Sequence, residues 1–280
     1  MFQHDCGHGS FFASRRANDV LGWILGVVTL TPYTFWRGSH AAHHASTGNL
    51  DRRGVGDITT LTLPEYRALP AWRRLNYRLY RNPLVMFGAG PAWVFLIQHR
   101  IPTGNPFRRW RDWLSILGTD AALAAVLATL MLTLGPLPVL LGWLPAILLA
   151  ATMGLWLFYI QHQFEDAYWE FQPRWEFREA ALRGASFYDL PRFLHWVTGN
   201  IGFHHIHHLS SRIPNYRLRE CHEANPAFHT APRLTLRGSL KCARLALWDV
   251  ERCKLVPFRA LRANAASAPF SGACNPETRG

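Results

Sequence analysis

Residues Trp113 to Ile160 read WLSILGTDAALAAVLATLMLTLGPLPVLLGWLPAILLAATMGLWLFYI and carry one charge, Asp120. As a helix, Trp113 to Leu134 spans ~33 Å at ~1.5 Å per residue, about the thickness of bilayer hydrocarbon. Leu137 to Ile160 has no charge at all, and Gly135-Pro136 between the two halves leaves room only for a tight turn. The tract is therefore expected to be a transmembrane hairpin. A pair of buried helices in a soluble protein is the competing reading, and two runs of more than ~20 apolar residues argue against it.

None of the 30 Lys and Arg lies between Trp113 and Ile160. The positive-inside rule then puts both ends of the hairpin in the cytoplasm and the Gly-Pro turn outside. Val20 to Trp36 and Leu84 to Ile97 are apolar but short, and Arg15, Arg16, Arg37, Arg81 and Arg100 bracket them. Both are expected to be re-entrant or interfacial. Arg52 to Arg81 is basic and rich in Trp and Tyr, as suits a surface at headgroup level.

The expected fold is all-α: an integral membrane helical protein, one domain over 1–280, with a transmembrane hairpin at 113–160. A cytosolic helical cap is expected at 161–262, including a short helix from Leu240 to Trp248, and a loose tail at 263–280. Half the chain is apolar, which excludes disorder. The net charge of +12 with 12 Trp points to an anionic membrane surface or an acidic protein, and the apolar runs disfavour nucleic acid. No secretory signal is visible in the polar first ten residues. The five cysteines, Cys6, Cys221, Cys242, Cys253 and Cys274, are odd in number and lack C-x-x-C spacing, so reduced thiols are expected.

Fourteen histidines are present, and most are clustered. His4-Asp-Cys-Gly-His8 is a pair at i and i+4; His40-Ala-Ala-His43-His44 and His204-His205-Ile-His207-His208 each contain H-x-x-H-H. On a helix these spacings share a face, so each run presents two or three imidazoles toward one point. The boxes together hold too many ligands for one metal and suit two. Imidazole alone does not name the metal. Structural zinc usually includes Cys, and carboxylate-bridged di-iron sites use Glu-x-x-His pairs absent here. An all-histidine dinuclear centre beside a membrane best fits an iron oxygenase. Two boxes precede the hairpin and one follows it, so two crossings return all three to the cytoplasmic side.

His162, two residues past the hairpin, emerges at the same level and is expected as a ninth ligand. His195 is expected in the core or on the surface, His205 as a supporting donor, and His99, His222 and His229 as bystanders. Asp5, Glu165, Asp166 and Asp189 are candidates to orient ligand imidazoles, and Asn200 to add a weak or water-mediated contact. Trp156, Phe158, Tyr159 and Trp169 are candidate walls of an apolar slot. There is no H-P-G-G haem segment and no complete G-x-G-x-x-G, so electrons must come from a separate carrier.

The ordered strings HDCGH, HAAHH and HHIHH resemble the membrane fatty acid desaturase family over nearly the whole chain. QHDCGHGSFF (Gln3–Phe12), FYIQHQFEDAYW (Phe158–Trp169) and GNIGFHHIHHLSSRIPNYRL (Gly199–Leu218) are similar to its bacterial omega-6, or delta-12, branch. That resemblance implies O2-dependent removal of two hydrogens from a fatty acyl lipid at two non-haem irons. It also implies a ferredoxin or cytochrome as electron donor and a bacterial inner-membrane location with the active site on the cytoplasmic side. It maps the ligands to His4, His8, His40, His43, His44, His204, His207 and His208, with His162 additional. It further implies a transmembrane hairpin ahead of the first box, where this chain has three residues. A helix nucleates poorly so near a free end, so His4 and His8 are expected to be loosely held and activity reduced. Carotenoid ketolases, carotenoid hydroxylases and alkane hydroxylases share this chemistry, and a metal-binding membrane protein is the non-enzymatic alternative. A transporter needs polar residues inside its spans, and here only Asp120 is charged.

Overall fold

The computed structural model describes residues 1–54, 56–102 and 110–263. The chain opens with α1 (Phe2–His8), α2 (Arg15–Val28) and α3 (Tyr33–Ser46). Gly9 ends α1 at φ +68°, a left-handed conformation that costs glycine little. Ser14 caps α2, its hydroxyl accepting from the Ala17 N–H at 3.3 Å. Val20 to Trp36 is thus two helices rather than one segment, broken where Leu30 takes φ 56° ahead of Pro32. Pro32 offers α3 no side-chain cap. Ser115 supplies one from a distant helix, its Oγ accepting from the backbone N–H groups of Thr34 and Phe35 at 3.1 and 3.3 Å.

Next come β1 (Leu61–Thr62), α4 (Leu63–Ala68) and α5 (Ala71–Tyr80), α4 beginning with a reciprocal Thr62–Glu65 capping box. Leu84 to Ile97 is helical, with two π-turns, Val85–Ala89 and Trp93–Ile97, flanking α6 (Gly90–Ala92). The first long apolar helix is α7 (Trp110–Leu134). Gly135, at φ +85°, reverses the chain into α8 (Pro136–Pro138), a π-turn and α9 (Leu144–His162). Both apolar runs are long enough to cross a membrane, and only 11% of the most apolar stretch of each is buried. That exposure is the opposite of a soluble protein's core helix.

The remainder is α10 (Phe177–Arg183), β2 (Phe187–Asp189), α11 (Arg192–Val197), α12 (His204–Leu209), α13 (Asn215–Ala224), β3 (Arg233–Thr235), α14 (Leu236–Cys242), β4 (Leu247–Asp249), β5 (Lys254–Val256) and α15 (Ala260–Ala263). The fold is predominantly helical but not all-α. β1 runs parallel to β4, which pairs antiparallel with β5; β2 runs parallel to β3. The helix expected over Leu240–Trp248 ends at Cys242, and Leu247–Asp249 is a strand buried on both faces. Trp248 is wholly buried there, and pairing on both edges outweighs local helix propensity.

The core joins the end of α9 to this region through Tyr159, Ile160, Phe164, Trp169, Trp248 and Leu255. Arg81 locks the junction from within: its guanidinium donates to Gln163 Oε1 (2.8 Å), the Leu245 carbonyl (2.9 Å) and the Tyr159 hydroxyl (3.2 Å). Cys6, Cys221 and Cys242 are free thiols, whereas Cys253 is disulfide-bonded, a pairing that spacing alone did not announce. The tail expected to be loose lies, beyond Ala263, outside the described residues.

Candidate metal centre

Four helices deliver the histidines. α1 carries His4 and His8, α3 carries His40, His43 and His44, α9 ends on His162, and α12 carries His204, His207 and His208. The helical spacings place each set on one face, and the fold turns those faces together. One ring nitrogen from each of His4, His8, His40, His44 and His207 lies within 4.8 Å of all the others, and His43, His162 and His208 form a second such group. His204 joins the second group, its Nε2 lying 2.9 Å from that of His162 and 3.1 Å from that of His208. The groups adjoin where the rings of His44 and His208 stack at 4.2 Å. All nine expected residues are therefore together, including His162.

The Nε2 atoms face one another at 3.0 Å (His8–His40), 3.2 Å (His40–His44), 3.1 Å (His44–His207) and 3.2 Å (His43–His162). Two nitrogens each ~2.1 Å from one ion and at right angles to each other lie ~3.0 Å apart. The donor set fits two nitrogen-ligated metal ions. Burial, with the mutual repulsion of neighbouring imidazoles, holds His4, His40, His204, His207 and His208 well below the usual histidine pKa. Burial likewise lowers His44, and it brings His8 down to about 4. These imidazoles are neutral at pH 7, the form that ligates metal.

The other ring nitrogen is held in several cases. His43 Nδ1 donates to Asp57, His4 Nδ1 lies 3.3 Å from Asp5 Oδ1, and His162 Nδ1 donates to the Gly184 carbonyl at 3.3 Å. Each contact leaves the Nε2 lone pair free. Asp57 had no signal in the sequence, being fourteen residues from His43 on a loop. Gly56 makes that loop possible: at φ +68°, a Cβ there would lie 2.8 Å from the Ser39 carbonyl oxygen. Trp36 stacks on His40 at 4.7 Å, with rings 15° apart.

Of the orienters expected from the sequence, Asp5 reaches a histidine of the cluster, His4. Glu165 and Asp166 pair with Lys254, and Asp189 pairs with Arg233. Asn200 donates to the Asn215 carbonyl at 3.0 Å instead of approaching the centre. His195 is buried outside the centre, accepting from the Leu190 N–H. His205 turns away from the clustered histidines; its ring packs against Phe187, His222 and Phe228. His222 and His229 contact each other, and His99 lies near the Leu30 carbonyl.

Phe158 lies 5.1 Å from His43 and 5.4 Å from His162, ring to ring. With Trp169, Tyr168, Ile58 and Thr47 it encloses a small cavity beside His162 and Asp57. Trp156 packs on Phe87 instead, and the Tyr159 hydroxyl points into the core toward Leu245.

The terminal helix α1 is well anchored, contrary to the expectation of loose ends. Asp5 Oδ2 accepts from the backbone and side-chain N–H of Asn215 at 2.7 and 2.8 Å, and the Tyr33 hydroxyl donates to the Cys6 carbonyl at 2.7 Å. Tertiary partners supply what local nucleation lacks.

Comparison with known proteins bears on what this centre does. The sequence profile of a family described as fatty acid desaturase matches residues 1–237. A fatty acid desaturase of Bacillus subtilis (strain 168) is 45% identical over 266 residues, covering 95% of this chain and 75% of that protein. Two Synechocystis proteins are more distant. An sn-1 acyl-lipid omega-3 desaturase (ferredoxin) is 32% identical, with 79% of this chain and 61% of that protein covered. An sn-1 oleoyl-lipid 12-desaturase is 29% identical, with 78% and 62% covered. The chain thus spans less than two thirds of the length of the two Synechocystis relatives. Because the profile takes in all four histidine-bearing helices, match and geometry concern the same residues, and the chain belongs to the fatty acid desaturase family, whose members are di-iron oxidoreductases.

Proposed function

We propose that this protein is an O2-dependent acyl-lipid desaturase that introduces a cis double bond into a membrane acyl chain. The observation that carries the reading is the meeting of nine imidazoles in two adjoining groups at the end of an apolar helix. His4, His8, His40, His44 and His207 would hold one iron, and His43, His162, His204 and His208 the other. Bound iron with dioxygen supplies the oxidising power that an unactivated methylene requires. The chain's own residues hold the Nδ1 protons at Asp57, Asp5 and the Gly184 carbonyl. Phe158 and Trp169 keep water from the side of the centre facing α9.

In this reading α7 and the run from α8 to α9 cross a bacterial inner membrane as a hairpin. The boxes and cap lie on the cytoplasmic side, with Gly135 outside. Electrons arrive from a separate carrier, a ferredoxin or cytochrome, drawn by the basic cap. The two relatives named for the omega-3 and 12-positions match at nearly equal identity, so identity alone does not choose the position. The delta-12, or omega-6, position that the sequence strings resemble is the one to test first.

The test is fatty acid profiling of a host membrane expressing the chain, with metal analysis of the purified protein. A new cis-unsaturated lipid acid and about two irons per chain are expected. Hydroxylated or ketonic products, or stoichiometric zinc without iron, would overturn the reading.

A further inference from the structure

A cleft of about 1090 Å³ opens beside the first histidine group. His8 forms part of its wall, together with Arg15, Arg37, Arg111, Arg212 and Asp19. Both carboxylates in the lining are engaged. Asp19 accepts from Arg37 at 2.6 Å, and Asp112 is buried with a partner of its own. Arg15, Arg111 and Arg212 have no carboxylate partner among the described residues. Three guanidinium groups without counterions around a concave space produce a positive potential that an anion would relieve.

Two further observations specify the anion. The first is depth. Trp110 and Trp113, either side of Arg111 on the opening turn of α7, are 67% and 45% exposed. Exposed Trp at the end of a long apolar helix marks the level of lipid headgroups. The second is the chemistry of the donors. Arg15 and Arg111 bring their guanidinium groups to the cleft from two separate helices, α2 and α7. A guanidinium group matches two phosphate oxygens at once.

We infer that this cleft binds the phosphodiester of the phospholipid whose acyl chain enters the histidine centre. The inference rests on the proposed function and deepens it by naming how the substrate's headgroup is held. His8 belongs to both cleft and centre, with its Nε2 3.0 Å from that of His40. A headgroup seated here is held against the wall of the reactive site, with the α7 surface beside it to receive acyl chains.

Binding is tested without turnover, so a failure of the desaturase reading and a failure of this one remain distinguishable. Dihexanoylphosphatidylglycerol, below its micellar concentration, is titrated calorimetrically into the full chain purified in detergent. The expected result is saturable binding, weakened at least tenfold in the Arg111→Gln/Arg212→Gln pair and unchanged in Arg237→Gln, which lies outside the cleft. Lysine at both positions should recover part of the affinity, and that arm stands if the glutamine pair folds poorly. Dihexanoylglycerol, which lacks the phosphate, should bind at least tenfold more weakly. Equal binding of dihexanoylglycerol, or wild-type affinity in the glutamine pair, would overturn the inference. So would hexanoyl-CoA binding more tightly and displacing the lipid, which would assign the cleft to a soluble acyl carrier.

Discussion

Asp57 lies outside every histidine run, yet it sets the direction in which His43 offers its lone pair. Removing such an outer partner commonly costs ~10–100-fold in metal affinity. We expect Asp57→Ala to lose iron in that range in a chelator competition, and Asp57→Asn, which keeps an acceptor, to lose less. Wild-type affinity in both would show that His43 needs no such support. The ligands themselves predict a sharper contrast. His44→Ala and His207→Ala should abolish unsaturated product, because each side chain belongs to the five-histidine group. His229→Ala and His99→Ala should leave most of it, since neither ring approaches the centre. Comparable product from all four variants would contradict the assignment. Box histidines are legible in sequence because i, i+3 and i+4 share a helical face wherever that helix goes. Asp57 and the Gly184 carbonyl are not, because their contacts come from loops that no periodicity locates.

Among the elements, α3 shows how a box is tied to the apolar helices. It carries three of the clustered histidines and has no N-terminal side-chain cap of its own, and Ser115 of α7 serves instead. Losing a cap of this kind costs ~1 kcal/mol. Ser115→Ala should therefore lower stability in detergent by about that amount, as read from denaturant or thermal unfolding, and loosen the metal held by α3. Stability equal to wild type would mean that water or another group replaces the hydroxyl. Packing between α2 and α3 is as tight: a Cβ at Gly22 would lie 2.3 Å from the Tyr33 ring. The two long helices and the turn at Gly135 were readable from the apolar runs, whereas the break at Leu30–Pro32 was not. The strands were not, because β1, β4 and β5 are two or three residues long and owe their form to pairing across the chain.

At the scale of the whole molecule, the centre gathers many buried bases in one place, which makes stability depend on pH. A histidine that titrates near 6.5 when unfolded and near 4 when folded, as His8 does, binds fewer protons in the native state. Its contribution is complete above ~6.5 and is lost as pH falls through the interval down to ~4. The other box histidines shifted by burial act in the same direction. Metal-free protein should therefore melt at a lower temperature at pH 5 than at pH 7.5, and the iron-loaded form should release metal on acidification as protons compete for nitrogen. A melting temperature independent of pH over that range would mean that the histidines are solvated in the metal-free state. The two apolar helices, the turn between them and the composition of the histidine boxes follow from length, charge and helical period, which are local properties. Folding in three dimensions anchors α1 through Asn215 and sets Asp57 against His43. It alone also brought four arginines from separate segments around one cleft, because each of these depends on residues far apart in the chain being folded together.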